Sequence, residues 1–270
     1  MYGKSIAISN RMILNDINQN GLQLSSKKIH LMIKKKVVDN QNWYSKYYKA
    51  HYERKNKFRD DLLNPETLYQ FLALNKCFVN SLYKISLNKK ESRIIDIGCG
   101  SASQLISLVS LGFNQDNLFG IDINEVDINL AKHNYPLLNL SRQDATNLDF
   151  KNNYFDLTYE STMFVQITNN EISRKIANEM IRITKKGGYL ILFDWRYGKF
   201  NNTNFLACNK SRIKELFKVD KSTKLISIEK GMLIPPVGRF LSRNMSSIYF
   251  VFSRLFPFCI GQVAYIIQKE

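Results

Sequence analysis

The sequence predicts an α/β fold: an open, mostly parallel sheet with helices on both faces, a helical N-terminal cap, and an insertion before the last strand. Three observations carry that expectation. The apolar run Ile94-Ile95-Asp96-Ile97 leads straight into the glycine turn Gly98-Cys99-Gly100-Ser101-Ala102-Ser103, and helical spacing follows from Gln104 to Ser110. Asp122 stands at the end of the next strand, Leu118 to Ile121, about 20 residues on, where a βαβ unit places an acid beside a bound ribose. From residue 93 to residue 193, strand and helix alternate in repeated units.

Residues 1–90 read as an N-terminal arm and helical cap. Residues 1–26 are polar and without sustained period, and contain the turn Asn18-Gln19-Asn20-Gly21. Lys27 to Lys36 is a basic, partly amphipathic patch. Trp43 to Tyr52 concentrates aromatics, and helical spacing brings Tyr44, Tyr48 and His51 or Tyr52 to one face, which suits either packing on the sheet or the wall of a pocket. Asn64-Pro65 starts a further helix, with an apolar face of Leu68, Phe71, Leu72, Leu74, Phe78, Val79 and Leu82.

Residues 91–270 read as the sheet domain. Arg93 to Ile97, Leu118 to Ile121, Leu137 to Arg142, Phe155 to Tyr159 and Tyr189 to Phe193 are its first five strands. Helices fall at Ala102 to Leu111, at Glu125 to His133 behind an Asn124 cap, and at Asn170 to Ile183, the last ended by the turn Lys185-Lys186-Gly187-Gly188. A short helix at Lys210 to Lys218 leads to a sixth strand at Lys224 to Glu229. Alternating Val263, Tyr265 and Ile267 mark a closing edge strand, and the insertion occupies about 232–260.

At 270 residues the chain has room for one such domain with a cap, and 44% apolar residues can fill its core. The net charge of +16 is unevenly spread: residues 1–60 carry 13 Lys or Arg against 4 acids, residues 91–170 carry 4 against 10, and residues 171–270 carry 18 against 7. The basic flanks fit a nucleic acid, an anionic membrane or a phosphorylated substrate, or a lysine-rich soluble background. Cys77, Cys99, Cys208 and Cys259 have no ligand spacing, so reduced thiols and no metal are expected. Met1 to Asn20 is interrupted by Lys4, Arg11 and Asp16, unlike a secretory signal, and a cytoplasmic protein is the expectation. The insertion is too short and interrupted to span a bilayer. Its aromatic bulk beside Arg239, Arg243 and Arg254 suits burial against the core or a partner subunit, or peripheral contact with a membrane.

The stretch 94–110 forms a nucleotide cradle, in which helix-mouth amides take an anionic or carboxylate group and Asp96 organises the loop or takes a cationic amine. Asp96-Ile97-Gly98-Cys99-Gly100, Asp122 after Phe119-Gly120-Ile121, Asp144-Ala145 and the Gly187-Gly188 turn resemble, in this order, the landmarks of class I S-adenosylmethionine-dependent methyltransferases. The resemblance covers roughly residues 91–230, with 262–267 completing that family's Rossmann-like, seven-stranded sheet. Dinucleotide dehydrogenases share the turn and the acid, but not Asp144-Ala145. The resemblance implies S-adenosyl-L-methionine as cofactor: Asp96, Gly98, Cys99, Gly100 and Ser101 around its methionine part, Asp122 at the ribose, Ile123 beside the adenine, and Asp144 at the adenine amino group with Ala145 nearby. Gln166 is a further candidate for cofactor or substrate contact, or for capping the helix that begins near Asn169. Where the family often has another glycine this chain has Ala102, small enough to keep a close helix packing.

Methyl transfer needs an in-line nucleophile, and a general base mainly when the acceptor is a hydroxyl. Catalytic candidates over the carboxyl ends of the strands are Glu160 after strand four, Asp194 after strand five, and His51 from the cap. Tyr159-Glu160-Ser161-Thr162 lacks the prolines of amino-directed DNA and protein-glutamine enzymes, and no Pro-Cys pair serves cytosine C5 chemistry. The remaining shape resembles small-molecule enzymes of this superfamily, particularly those of bacterial surface-polysaccharide pathways. Asp194-Trp195-Arg196-Tyr197 and Asn204-Phe205 offer a polar and aromatic wall for a sugar or its phosphate. The expected function is therefore transfer to a hydroxyl of a sugar or other small polar acceptor in glycan biosynthesis, nucleotide-linked or lipid-linked. RNA methylation on the basic stretches Lys27 to Lys36 and Lys210 to Lys224 is one alternative. A non-catalytic, cofactor-binding scaffold subunit is the other.

Overall fold

The computed structural model describes residues 63–198 and 205–270. The arm, the basic patch at Lys27 to Lys36, the aromatic segment with His51, and Asn204 lie outside the described residues. The first described helix, α1 (Pro65–Tyr83), belongs to the same compact unit as the sheet. Its start follows the sequence: Asn64 Oδ1 accepts from Glu66 N at 3.0 Å, and Pro65 occupies the first turn, where its missing N–H costs nothing.

The buried face of α1 differs from the expected one. Gln70, Ala73, Cys77, Phe78 and Ser81 are buried, Leu74, Val79 and Leu82 are half-buried, and Leu68, Phe71 and Leu72 are exposed. The cause is the close approach of a second helix, α6 (Pro235–Asn244), whose Gly238 lies directly against the Gln70 side chain. Ser242 Oγ donates to the Pro65 carbonyl and accepts from Tyr69 N at 3.2 Å. A contact that tight selects small and polar residues, which hydrophobic periodicity does not reveal.

The sheet contains β1 (Ile94–Ile97), β2 (Leu118–Asp122), β3 (Asn139–Arg142), β4 (Phe155–Ser161), β5 (Thr184–Trp195), β6 (Thr223–Lys230) and β7 (Gln262–Lys269), in the order β3-β2-β1-β4-β5-β7-β6. The first five strands run parallel, and β7 is antiparallel to both its neighbours. Helices α2 (Ser103–Ser110) and α3 (Glu125–Asn134) join α1 on the face of Ile94, Leu157, Tyr159 and Phe193. On the opposite face, α4 (Asn170–Ile183) and α5 (Lys210–Leu216) pack on Ile95, Ile97, Leu190 and Tyr265. The two-residue period of the strands sorts these side chains between the layers. Strand order reverses between β1 and β4, so the crevice of an open α/β sheet falls at their carboxyl ends.

Three expectations change. The last strand, β7, is not at the edge: it is buried on both faces between β5 and β6, and β6, with alternating burial, is the edge. Its continuous apolar run, including Ala264 and Ile266, was the sign of two-sided burial. Lys185 to Gly188 do not form a turn before the fifth strand but bulge within it, because Phe155 pairs with Thr184 and Leu157 with Tyr189. Thr184 is pinned there, its Oγ1 2.8 Å from Thr158 Oγ1 and 2.7 Å from the Met180 carbonyl. Finally, β4 and β5 run on to Ser161 and Trp195, so Glu160 and Asp194 sit inside strands instead of after them.

The insertion forms α6 and α7 (Tyr249–Leu255), closed at its base by an antiparallel bridge between Leu233 and Ile260. Among the described residues no helix is long and apolar enough to cross a membrane.

Candidate active site

The cradle is made by backbone. Gly98 and Gly100 take φ of +78° and +50°, in the left-handed region open to glycine, and a Cβ on Gly98 would press on Met163 Sδ at 3.3 Å. The amides of Gly98 and Cys99 both donate to the Ile121 carbonyl, at 2.8 and 2.9 Å, and Gly100 N donates to Asp122 Oδ2 at 3.0 Å. These amides hold the loop shut on β2. The first turn of α2, by contrast, has no side-chain cap, because its cap position is Ala102. Those helix-mouth amides are the part of the cradle fitted to an anionic ligand. Ala102 is itself left-handed, at φ +63°, so alanine occupies a glycine conformation here at a steric cost as well as packing closely. Cys99 is buried, and burial raises its thiol; Sγ points under the loop toward Gly120, leaving only its backbone at the ligand side.

Asp96 is buried on β1 in register with Tyr159 on β4. Burial pushes its carboxyl up to about 8, the facing Tyr159 hydroxyl offsets part of this, and the Asp122 charge adds to it. Neither Asp96 Oδ1 nor the Tyr159 hydroxyl completes a hydrogen bond of normal geometry. A buried carboxylate oxygen without a partner, at the mouth of a glycine loop, fits a cationic group of a ligand. A Cβ on Gly100 would meet no heavy atom within 4 Å, so space lies in front of the loop.

Asp122 is buried and raised by burial, while amides hold its charge: Gly100 N, as above, and Asn124 N at 2.8 Å to Oδ1. Ile123 is half-buried beside it, its carbonyl accepting from Arg142 Nε at 3.2 Å. Asp144 is exposed, and its Oδ1 accepts from Thr146 N and Oγ1 at 2.9 and 2.8 Å, a loop cap, while Ala145 beside it is half-buried against the core. Gln166 does not cap α4; Asn169 does, accepting from Glu171 N and Ile172 N. Instead Gln166 Nε2 donates at 2.7 Å to the carbonyl of Thr162, a β-branched residue held at φ +61°. That bend places Met163 over Gly98.

Glu160 and Asp194 are brought together on the opposite face of the sheet, both fully buried. Asp194 Oδ1 accepts from Trp195 N at 2.7 Å, and Oδ2 from Val165 N at 2.8 Å and Cys208 Sγ at 3.3 Å. Burial raises its carboxyl to about 6, held from rising further by these donors and by Arg212. Glu160 Oε2 accepts from Met163 N at 2.8 Å, Oε1 has no partner, and burial with the Asp194 charge beside it raises the group well above the carboxylate range. Asp194 is thus a loop anchor, and Glu160 a buried carboxyl that holds Met163 N.

The wall expected after strand five is also engaged. Arg196 donates from Nε to the Ile260 carbonyl at 2.6 Å and from Nη2 to that of Pro257, and Tyr197 OH donates to the Phe258 carbonyl at 3.0 Å. Phe205 is half-buried on the core.

Sequence reading missed three groups. Tyr159 was read only as a strand residue, and its place opposite Asp96 depends on the pairing of β1 with β4. Arg212 binds the carbonyls of Phe164, Leu206 and Ile167 and the Ser173 hydroxyl, clamping the loop after β4. Gln262 is buried with both amide atoms unpartnered, and its signal was a lone amide opening an apolar strand.

Residues 94–188 match the family described as "Methyltransferase domain". Demethylmenaquinone methyltransferase of Bacteroides fragilis is 25% identical over 180 residues, 64% of each chain. Phthiotriol/phenolphthiotriol dimycocerosates methyltransferase 1 of Mycobacterium ulcerans is 28% identical over 128 residues, 45% of each chain. The chain thus spans 64% and 45% of the length of these two relatives. Among solved structures, geranyl diphosphate C-methyltransferase from Streptomyces coelicolor A3(2), in complex with Mg2+, geranyl diphosphate and S-adenosyl-L-homocysteine, superposes with a TM-score of 0.54 at 12% identity, over 72% of this chain and 76% of that one. At that identity the likeness is one of fold. With the strand order and the glycine cradle, these matches show that residues 94–188 resemble the methyltransferase domain family and share the fold of class I S-adenosylmethionine-dependent enzymes.

Proposed function

We propose that the chain is an S-adenosyl-L-methionine-dependent methyltransferase whose small polar acceptor is carried on an apolar chain, and that it works in the cytoplasm, peripherally at a membrane face. The observation that supports cofactor binding most directly is the unpartnered Asp96 Oδ1 beside an uncapped helix mouth. The names of the two relatives, which act on demethylmenaquinone and phthiotriol dimycocerosates, support an apolar-tailed acceptor, as does the apolar insertion.

When bound, the cofactor supplies a methyl group on a sulfonium leaving group. Ser101 and the first turn of α2 receive its carboxylate, and the Gly98 to Gly100 backbone shapes the loop around it. Asp96 takes the ammonium. Asp122, with acceptor capacity left on both oxygens, takes the ribose hydroxyls. Ile123 and Ala145 flank the adenine, with Asp144 at its amino group. With Asp194 committed to Val165 N and Trp195 N and Glu160 to Met163 N, His51, outside the described residues, is the base proposed for a hydroxyl acceptor. An acceptor that enters as its conjugate base needs none of the three.

Incubation with methyl-labelled S-adenosylmethionine and fractionated cell lipids tests the reading: label is expected in the organic phase. Label confined to RNA or protein, or cofactor binding with no transfer to any fraction, overturns it. A second reading, transfer to a sugar hydroxyl in glycan biosynthesis, rests on the Trp195 and Tyr197 rings at the end of β5. Acid hydrolysis of the product separates the two, since methyl on a released sugar supports the second.

A further inference from the structure

We propose that the α6–α7 insertion is a docking surface for an anionic lipid bilayer; the inference rests on the reading of a lipid-borne acceptor and specifies how the protein meets it. Residues 231–260 contain three arginines and no acid. Their two short helices bury Leu241 and Tyr249 but leave Phe240 and Leu255 exposed at 58% and 67%, and Phe258 in the turn after α7 is exposed at 67%. Between the helices lies a cavity of about 490 Å³ lined entirely by apolar side chains, among them Pro236, Val237, Ile248 and Phe252. Exposed rings around an apolar groove are costly in water, and a patch of this kind marks an interaction surface.

Charge decides what covers this face. A second copy would bring its own Arg254 against this one, whereas lipid phosphates complement it. Arg243 lies 3.2 Å from Glu66, and Arg254 is exposed in the last turn of α7 beside Leu255. Place also favours a bilayer. Arg196 and Tyr197, just past the carboxyl end of β5, hold the carbonyls of Pro257, Phe258 and Ile260. The face is thereby fixed at the end of the parallel sheet where Asp96 and Asp122 lie, so an acceptor headgroup and the cofactor loops share one side of the molecule.

The test is sedimentation of the full chain with vesicles of phosphatidylcholine alone or in equal parts with phosphatidylglycerol. Binding to the mixed vesicles is expected. The double variant Phe240→Ser, Leu255→Ser should bind them at least about tenfold more weakly, with an unchanged melting temperature because both side chains are exposed. Arg254→Gln should lose roughly fivefold on the mixed vesicles only. Absence of binding by the unaltered chain, or undiminished binding by the double variant, overturns the proposal. So does a dimer that the double variant dissolves without any vesicle binding. Calorimetric titration with S-adenosylmethionine on the same samples separates the two readings: vesicle binding without cofactor binding fails the methyltransferase reading alone, and the reverse fails the docking face alone.

Discussion

At the carboxyl end of β2, Asp122 spends its oxygens on the amides of Gly100 and Asn124; near the carboxyl end of β5, Asp194 spends its own on Val165, Trp195 and Cys208. Both are buried aspartates in parallel strands of one sheet, on the side where such sheets bind ligands. They differ in what lies above them. The loop beside Asp122 opens to solvent at Ser101 and to free space at Gly100, whereas Asp194 is covered by Cys208 and by the Arg212 clamp. A strand end nominates an acid for chemistry, and the cover over that end decides whether the acid meets a ligand or builds the core.

The largest effect is expected at Asp194. Asp194→Ala leaves the Val165 and Trp195 amides unpaired and the Arg212 charge without its neighbour, and should cost about 3 to 5 kcal/mol in urea unfolding. A stability near that of the unaltered chain would show that Asp194 is not an anchor.

Asp96 should contribute strongly to the pH dependence, with the raised carboxyls of Glu160 and Asp122 acting in the same direction. Its carboxyl is raised from 3.8 to about 8 in the folded protein, so between those values the native state holds a proton that the unfolded chain has released. Stability therefore falls as pH rises from about 4 to about 8, with Asp194, raised to about 6, contributing only to the lower half. Asp96→Asn should flatten the curve between pH 6 and 8 by about 2 to 3 kcal/mol in total, measured by urea unfolding across pH. Cofactor binding at pH 7 should release a proton from Asp96, read by calorimetry in buffers of different ionisation enthalpy; Asp96→Asn should abolish the release.

On the open side, Asp122→Ala should weaken S-adenosylmethionine binding by about 10- to 100-fold, as expected for lost hydrogen bonds to a charged group. Unchanged affinity would remove Asp122 from the ribose. The smallest effect is at Ala102, where Ala102→Gly relieves the left-handed conformation and should stabilise the fold by about 0.5 to 1 kcal/mol, read from the urea midpoint.

Much of this architecture was legible from residues close in the chain. Asn64, Asn124 and Asn169 cap their helices through side chains that reach only two or three residues ahead. Gly98 and Gly100 mark the cradle by their own backbone freedom, and Asp96 and Asp122 follow from strand ends that apolar runs define. Gln166, Arg196 and Tyr197 were harder, because a polar residue near a strand end serves a ligand or a neighbouring carbonyl equally well by pattern. Only position in space shows that Gln166 holds Thr162 and that Arg196 holds the base of the insertion.

By itself, the sequence determined the strand and helix alternation, the caps and the glycine cradle, since each depends on dihedral preference, hydrophobic period or hydrogen bonds of short reach. Tertiary structure alone decided the rest: β7 between β5 and β6, the buried stripe of α1, and Asp194 as an anchor. These rest on contacts between distant parts of the chain, such as Ser242 with Pro65, 177 residues apart. Local periodicity carries no information about which partner arrives, how closely its backbone approaches, or which carboxylate it covers.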